Sequence, residues 1–281
     1  YMARSIEQVE QDLTQLRTTS SQLGEELTAA YKSYFISFAP TLKQQSIQSC
    51  YYLCTTCYPE AFLKLNYNQR AQLLKTLQRV IRNVIGDLVI HIEPSSQASN
   101  DDEPTGALTS IPIMPTDWFA TPSSLSTWQK NLEEELSHSL KEISYKVNLL
   151  LQQAQVMPPA IPKPILEASP EADRQGESTG SIANVLSILI EQESTQEQQL
   201  ENAPKEIRQR DDLPQIIQIH SLYLRLTEIE FADVTVLSLR KNLDRLGTKI
   251  HLLRREYLQK QQELKIAEAE SAWRNSWFES P

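Results

Sequence analysis

The sequence predicts an all-α protein, elongated, with a helical bundle, coiled-coil segments and a long C-terminal helix. Three observations lead there. Apolar residues step by three and four along several separate stretches, the spacing of a helix seam rather than a strand. Glycine is scarce, at 6 in 281 residues, while the 15 prolines gather mainly in two places. With only 40% hydrophobic and 7% aromatic residues, much of the chain is expected to lie near solvent. So few glycines leave little material for phosphate-cradling loops, and nucleotide folds built on them are nearly excluded.

The first stripe is Ile6, Val9, Leu13, Leu16, Ser20, Leu23, Leu27, Ala30 and Tyr34, about four heptads long. Ser20, Gly24 and Ala30 weaken it. Pro40 disfavours helical backbone at Ala39, so a helix end is expected at Phe38-Ala39-Pro40. A second helix is expected over about Thr41–Tyr58, and a third from Asn68, read as its cap, through Ile85. Leu88–Ile92 is read as its continuation, which gives residues 1–93 as an N-terminal bundle. Residues 94–121 carry four prolines and an Asp101-Asp102-Glu103 run and read as an irregular acidic loop. Its later apolar residues, Trp118 and Phe119 among them, are expected to pack on the helices.

Another amphipathic helix is expected over 122–157, with Leu136, Leu140, Ile143, Val147, Leu150, Ala154 and Met157 as its stripe. Residues 158–180 read as a Pro-rich linker. In the C-terminal region, 181–281, Ile182, Val185, Leu186, Leu189 and Ile190 suggest a short amphipathic helix. Pro214–Phe278 reads as one very long helix or a bent pair, on the stripe Ile219, Leu222, Leu226, Ile229 and Val236 and then Leu239, Leu243, Leu246, Ile250, Leu253, Tyr257, Leu264 and Ala267. Alternation at Leu222–Leu226 competes as a strand but covers fewer residues.

Few motifs carry chemistry. Cys50, Cys54 and Cys57 have the spacing by which some enzymes hold an iron–sulfur cluster with thiolates. Offsets of four and seven also place them on one helix face with Ile47 and Ala61, and buried helical thiols are the preferred reading. They are therefore low-ranking metal candidates, an iron–sulfur or thiol-dependent protein is the enzymatic alternative, and no cofactor is expected. A zinc site lacks a nearby fourth ligand unless His91 is recruited. His91, His138, His220 and His251 are widely spaced and read as ordinary histidines, and Glu133-Glu134-Glu135 as a solvated helix face. No catalytic constellation is evident.

Eight bases lie between Arg240 and Lys265, and Lys241, Arg245, Lys249 and Arg254 are candidate contacts for an acidic partner, or for nucleic acid or a membrane surface as the alternative. A formal charge of -9 and a pI of about 5.1 oppose nucleic acid. Trp273, Trp277 and Phe278 close the chain as partner-binding candidates, set either to dock back on the body or to anchor another molecule. Pro159-Ala160-Ile161-Pro162 stiffens the linker or offers a polyproline ligand. No stretch approaches a membrane span, so a cytoplasmic protein is expected, with an upstream segment left open because the numbering begins at Tyr1.

Arg225–Asp233 and Ala267–Arg274 resemble uncharacterised helical proteins of cyanobacterial type. The resemblance implies no catalytic residue. It suggests a bacterial cytoplasmic scaffold, in keeping with a non-enzymatic adaptor that contacts protein partners or a second copy of itself.

Overall fold

The computed structural model describes residues 6–90, 119, 121–158, 183–192 and 215–278. The described chain is predominantly α-helical, with one small sheet. Its elements are α1 (Ile6–Tyr52), a π-helical turn (Leu53–Cys57), α2 (Pro59–Lys64), α3 (Tyr67–Ile90), α4 (Pro122–Gln153), β1 (Val185–Gln192), β2 (Gln215–Leu222), α5 (Leu226–Phe231) and α6 (Val234–Phe278). Two compact units share them. One comprises residues 1–40, 86–137 and 233–281, and the other 41–85 and 138–232. The linker expected over 158–180, its Pro159–Pro162 segment and His91 lie outside the described residues, as does all of the 94–121 loop except Phe119 and Thr121.

The expected break at Pro40 is not there: α1 runs through it to Tyr52. Proline removes one backbone bond, to the carbonyl of Ile36. Both Pro40 and Ile36 are exposed, so that carbonyl is not cut off from solvent. The buried stripe of Tyr31, Tyr34, Phe35, Phe38 and Leu42 continues in phase across the proline, and its packing overrides the local preference.

In the first unit α1 and α6 run antiparallel. Lys260 pairs with Asp12 at 3.1 Å, and Arg17 donates to the Tyr257 hydroxyl at 3.2 Å. Between them Val9, Leu13 and Tyr257 form an apolar cluster with Leu16 and Leu264 against it. The α6 seam is buried where the sequence placed it, at Leu243, Leu246, Ile250, Leu253 and Tyr257. Ser20, a weak point of the α1 stripe by sequence, is fully buried and donates to the Phe119 carbonyl at 2.8 Å. Gly24 is needed there too, since a Cβ on it would lie 2.6 Å from Phe119 Cγ. Phe119 meets Trp128 edge-on, as does Tyr31, so this residue of the loop does pack on the helices. The acidic triplet is not wholly solvated: Glu133 Oε1 accepts from the Tyr31 hydroxyl and pairs with Arg240, each at 2.6 Å.

The second unit holds the main departures. The short helix expected at Ile182–Ile190 is strand β1, and the start of the long Pro214–Phe278 helix is β2. A short run that is apolar at all but one position, Ser187, is compatible with either periodicity, so Val185–Ile190 fitted a helical stripe while having the length and β-branched content of a strand. Ile219, Leu222, Ile229 and Val236 are all buried as the stripe required, but they sit on β2, α5 and α6 rather than one helix. The strands pair antiparallel from Val185↔Leu222 to Gln192↔Gln215.

Helix ends also move. The α3 cap is Asn66 rather than Asn68: Asn66 Oδ1 accepts the Gln69 amide and Gln69 Oε1 accepts the Asn66 amide, each at 2.8 Å, a reciprocal capping box. Thr121 caps α4, with Pro122 at its first position. That helix stops at Gln153 rather than Met157, because Gln155 turns left-handed (φ 58) and the amides of Val156 and Met157 fold back on the Leu151 carbonyl.

Candidate functional site

Three places bear on function: the cysteine segment, the sheet edge and the outer face of α6. Cys50 lies in the last turn of α1, and the π turn carries Cys54 and Cys57. Cys50 and Cys54 are buried and Cys57 half-buried, all three as free thiols. Ile47, expected on the same stripe, is 38% exposed. A π turn inserts one residue and rotates the side chains after it around the helix axis, which is why Cys57 emerges toward solvent. Burial pushes the thiols up, Cys50 to about 12 and Cys54 to about 11, with each neighbouring sulfur adding to the effect; Cys57 is raised too. Metal ligation and nucleophilic attack both need thiolate. Among the described residues no group of three or more His, Cys, Asp or Glu is placed to hold a metal ion.

Just past the π turn, Tyr58 reaches β2. Its hydroxyl donates to the His220 carbonyl and accepts the His220 amide, both at 2.8 Å. Two residues on, the Asn148 side chain does the same for Leu222, donating to its carbonyl at 2.9 Å and accepting its amide at 2.8 Å. Next along, the Leu224 amide donates to Ser144 Oγ at 3.0 Å. Alternate residues of a strand send their backbone groups to the same side, so Tyr58 and Asn148 seal one edge of β2, and Ser144 continues the line at Leu224, just past the strand. Ser187, opposite His220 in the register, lies 2.7 Å from His220 Nδ1. Desolvation lowers the His220 pKa, so the imidazole is neutral near pH 7. Sequence reading missed this edge because its partners stand 74 and 162 positions apart. The arrangement holds a strand, and the hydrogen-bond partner of the His220 ring is a serine hydroxyl.

On α6, each side chain lies about 100° around the helix from the last. Lys241, Arg245 and Lys249 follow one another along its exposed side, while Arg254 comes round on a different flank. The bases of 240–265 therefore do not form one stripe. Arg240 is tied to Glu133, and Lys260 to Asp12 and Glu263 at 3.1 and 2.9 Å. Glu256, also exposed, follows Lys249 on the same side and ends the strip of Lys241, Arg245 and Lys249 with a negative charge.

Further along, Ile266, Trp273 and Trp277 fall within about 20° of one line, directly opposite the Leu253 and Tyr257 seam. They are 51%, 69% and 68% exposed. The two indoles touch, with centroids 5.8 Å apart. Trp273 and Trp277 thus do not dock back on the described body, because the seam face of α6, not theirs, meets α1. Phe278 ends α6; its side chain lies outside the described residues. His138 and His251 are exposed surface residues. No helix among the described residues is long and apolar enough to cross a membrane. Comparison with family models, curated proteins and solved structures found no match.

Proposed function

We propose that this protein acts without catalysis, by protein–protein contact, as a scaffold or adaptor whose docking surface is the outward face of α6. The observation that carries the reading is the exposed Trp273–Trp277 pair, set on the side of α6 away from the seam that packs in its own unit. Adjacent indoles left in water are costly unless something covers them, and tryptophan is the residue type most enriched at binding hot spots. The three–four seams favour coiled-coil-like pairing of rods as the contact mode, and Lys241, Arg245 and Lys249 add an electrostatic approach path for an acidic protein surface. A bacterial cytoplasm suits the buried reduced thiols.

The thiol-dependent reading draws less support, since its thiolates are disfavoured by burial. So does nucleic-acid binding, since Arg254 and Lys260 leave the strip that phosphates would track.

A photo-crosslinking residue placed at position 277 of the full chain, expressed in its native cell, tests the proposal. Discrete adducts to protein, lost when Trp273 is changed to alanine, are expected. A crosslinker that labels nothing, at a site so exposed, would contradict it.

A further inference from the structure

We infer that the partner of the α6 aromatic face is the same face of a second copy, the two helices lying antiparallel about a twofold axis near Ala272. This rests on the docking reading above and deepens it by naming the occupant. In an antiparallel pair centred there, Ile266 falls opposite Trp277 of the second copy, within about half a residue, or roughly 0.8 Å of helix rise. The Glu270 level falls opposite the second copy's Trp273 with the same small offset, and the two Trp273 rings straddle the axis. Between residues 266 and 277 the large apolar groups exposed on this face are Ile266, Trp273 and Trp277, and each meets another across the pair.

Charge selects the same register. A twofold axis across an antiparallel helix pair brings like flanks together. Glu270 and Arg274 lie on one flank of the stripe, about 40° and 80° from Ile266. The axis sets Glu270 of each copy against Arg274 of the other, giving two equivalent ion pairs. Within one chain the two residues already associate at 3.3 Å, i to i+4, and both remain about half exposed or more, at 49% and 65%. Over residues 269–276 the opposite flank holds Ala269, Ala272 and Ser276, small residues that let the helices approach closely, and its nearest charge, Lys265, lies a turn earlier. A parallel pair would face Glu270 and Arg274 with those small residues and leave no ion pair at this level.

The expected dimer is weak. Two exposed tryptophans and an isoleucine from each copy amount to roughly 800–1,000 Å² buried in total, taking about 250 Å² for a whole indole. Stable complexes bury about 1,200–2,000 Å², so dissociation in the micromolar range is expected.

Sedimentation velocity of the full chain over a concentration series, with circular dichroism to confirm unchanged helicity, provides the test. Wild type is expected to shift from monomer to dimer. Glu270→Arg and Arg274→Glu, each alone, place like charges across the axis and are expected to weaken association about 10-fold. An equimolar mixture of the two, one copy carrying only Arg at these positions and the other only Glu, is expected to recover wild-type association as a mixed dimer. A wild type that stays monomeric at several hundred micromolar (on the order of 100-fold above micromolar affinity) overturns the inference. So does a dimer indifferent to both substitutions, or a mixture no heavier than its components. If the chain is monomeric yet position 277 still crosslinks to another protein, self-pairing alone falls; if neither occurs, the docking reading falls with it.

Discussion

Removing the Asn148 side chain exposes how the sheet is held. Asn148 is fully buried on α4 and its amide makes both of the outward bonds of Leu222, itself fully buried. Asn148→Ala leaves that N–H and that carbonyl without a partner in a place where water does not reach. An unsatisfied buried group costs about 1–3 kcal/mol. Two together, with partial relaxation, amount to roughly 2–4 kcal/mol, a large part of the 5–15 kcal/mol that holds typical domains. Urea unfolding followed by circular dichroism reads the loss as a lower midpoint, and hydrogen exchange of the 218–224 segment reads it locally, since the Leu222 amide loses its protection. A loss below about 0.5 kcal/mol, with exchange unaltered, would refute the assignment of that edge to Asn148.

Other perturbations draw on the same geometry. Gly24→Ala, which in an open helix stabilises by about 1 kcal/mol, is expected to destabilise here, because the new Cβ meets the Phe119 Cβ and Cγ within 2.9 Å; a higher melting temperature would contradict the contact. Alkylation near pH 8 is expected to reach half-buried Cys57 first and Cys50 last, following burial and the upward pKa shifts; mass mapping that finds Cys50 labelled as quickly as Cys57 would contradict this order. His220, its pKa lowered by burial below the ordinary 6.5, takes a proton more readily unfolded than folded. Its contribution is therefore intact above about pH 6.5 and declines as pH falls through the lowered folded value. His220→Gln is expected to flatten that part of the stability–pH curve, and an unchanged slope would remove His220 as its source.

The helical stripes were readable because burial of one face imposes three–four spacing whatever the partner. Leu243 to Tyr257 on α6 and Leu136 to Val147 on α4 are buried as that spacing requires. Val185–Ile190 was not readable as a strand, since a short, mostly apolar run broken only by Ser187 fits a helical stripe as well as a strand. Pro40 misled in the other direction: local backbone preference argued for a stop, while the aromatic stripe on both sides fixed the helix through it. Least legible were Tyr58, Asn148 and Ser144, whose role is to satisfy backbone groups far away in sequence. Composition and spacing report which way a side chain faces, not which distant amide it caps. Trp273 and Trp277 were legible as unusual residues, but only the phase of α6 against its seam shows which way they point.

The proposal that the α6 aromatic face meets another protein is tested most directly by diffusion in the living native cell. Full-length protein bearing a fluorescent tag is compared with its Trp273→Ala/Trp277→Ala counterpart by fluorescence correlation. The account expects wild type to diffuse as a larger particle and the double variant to move faster, with the purified proteins equal in helicity. Identical diffusion of the two would contradict it.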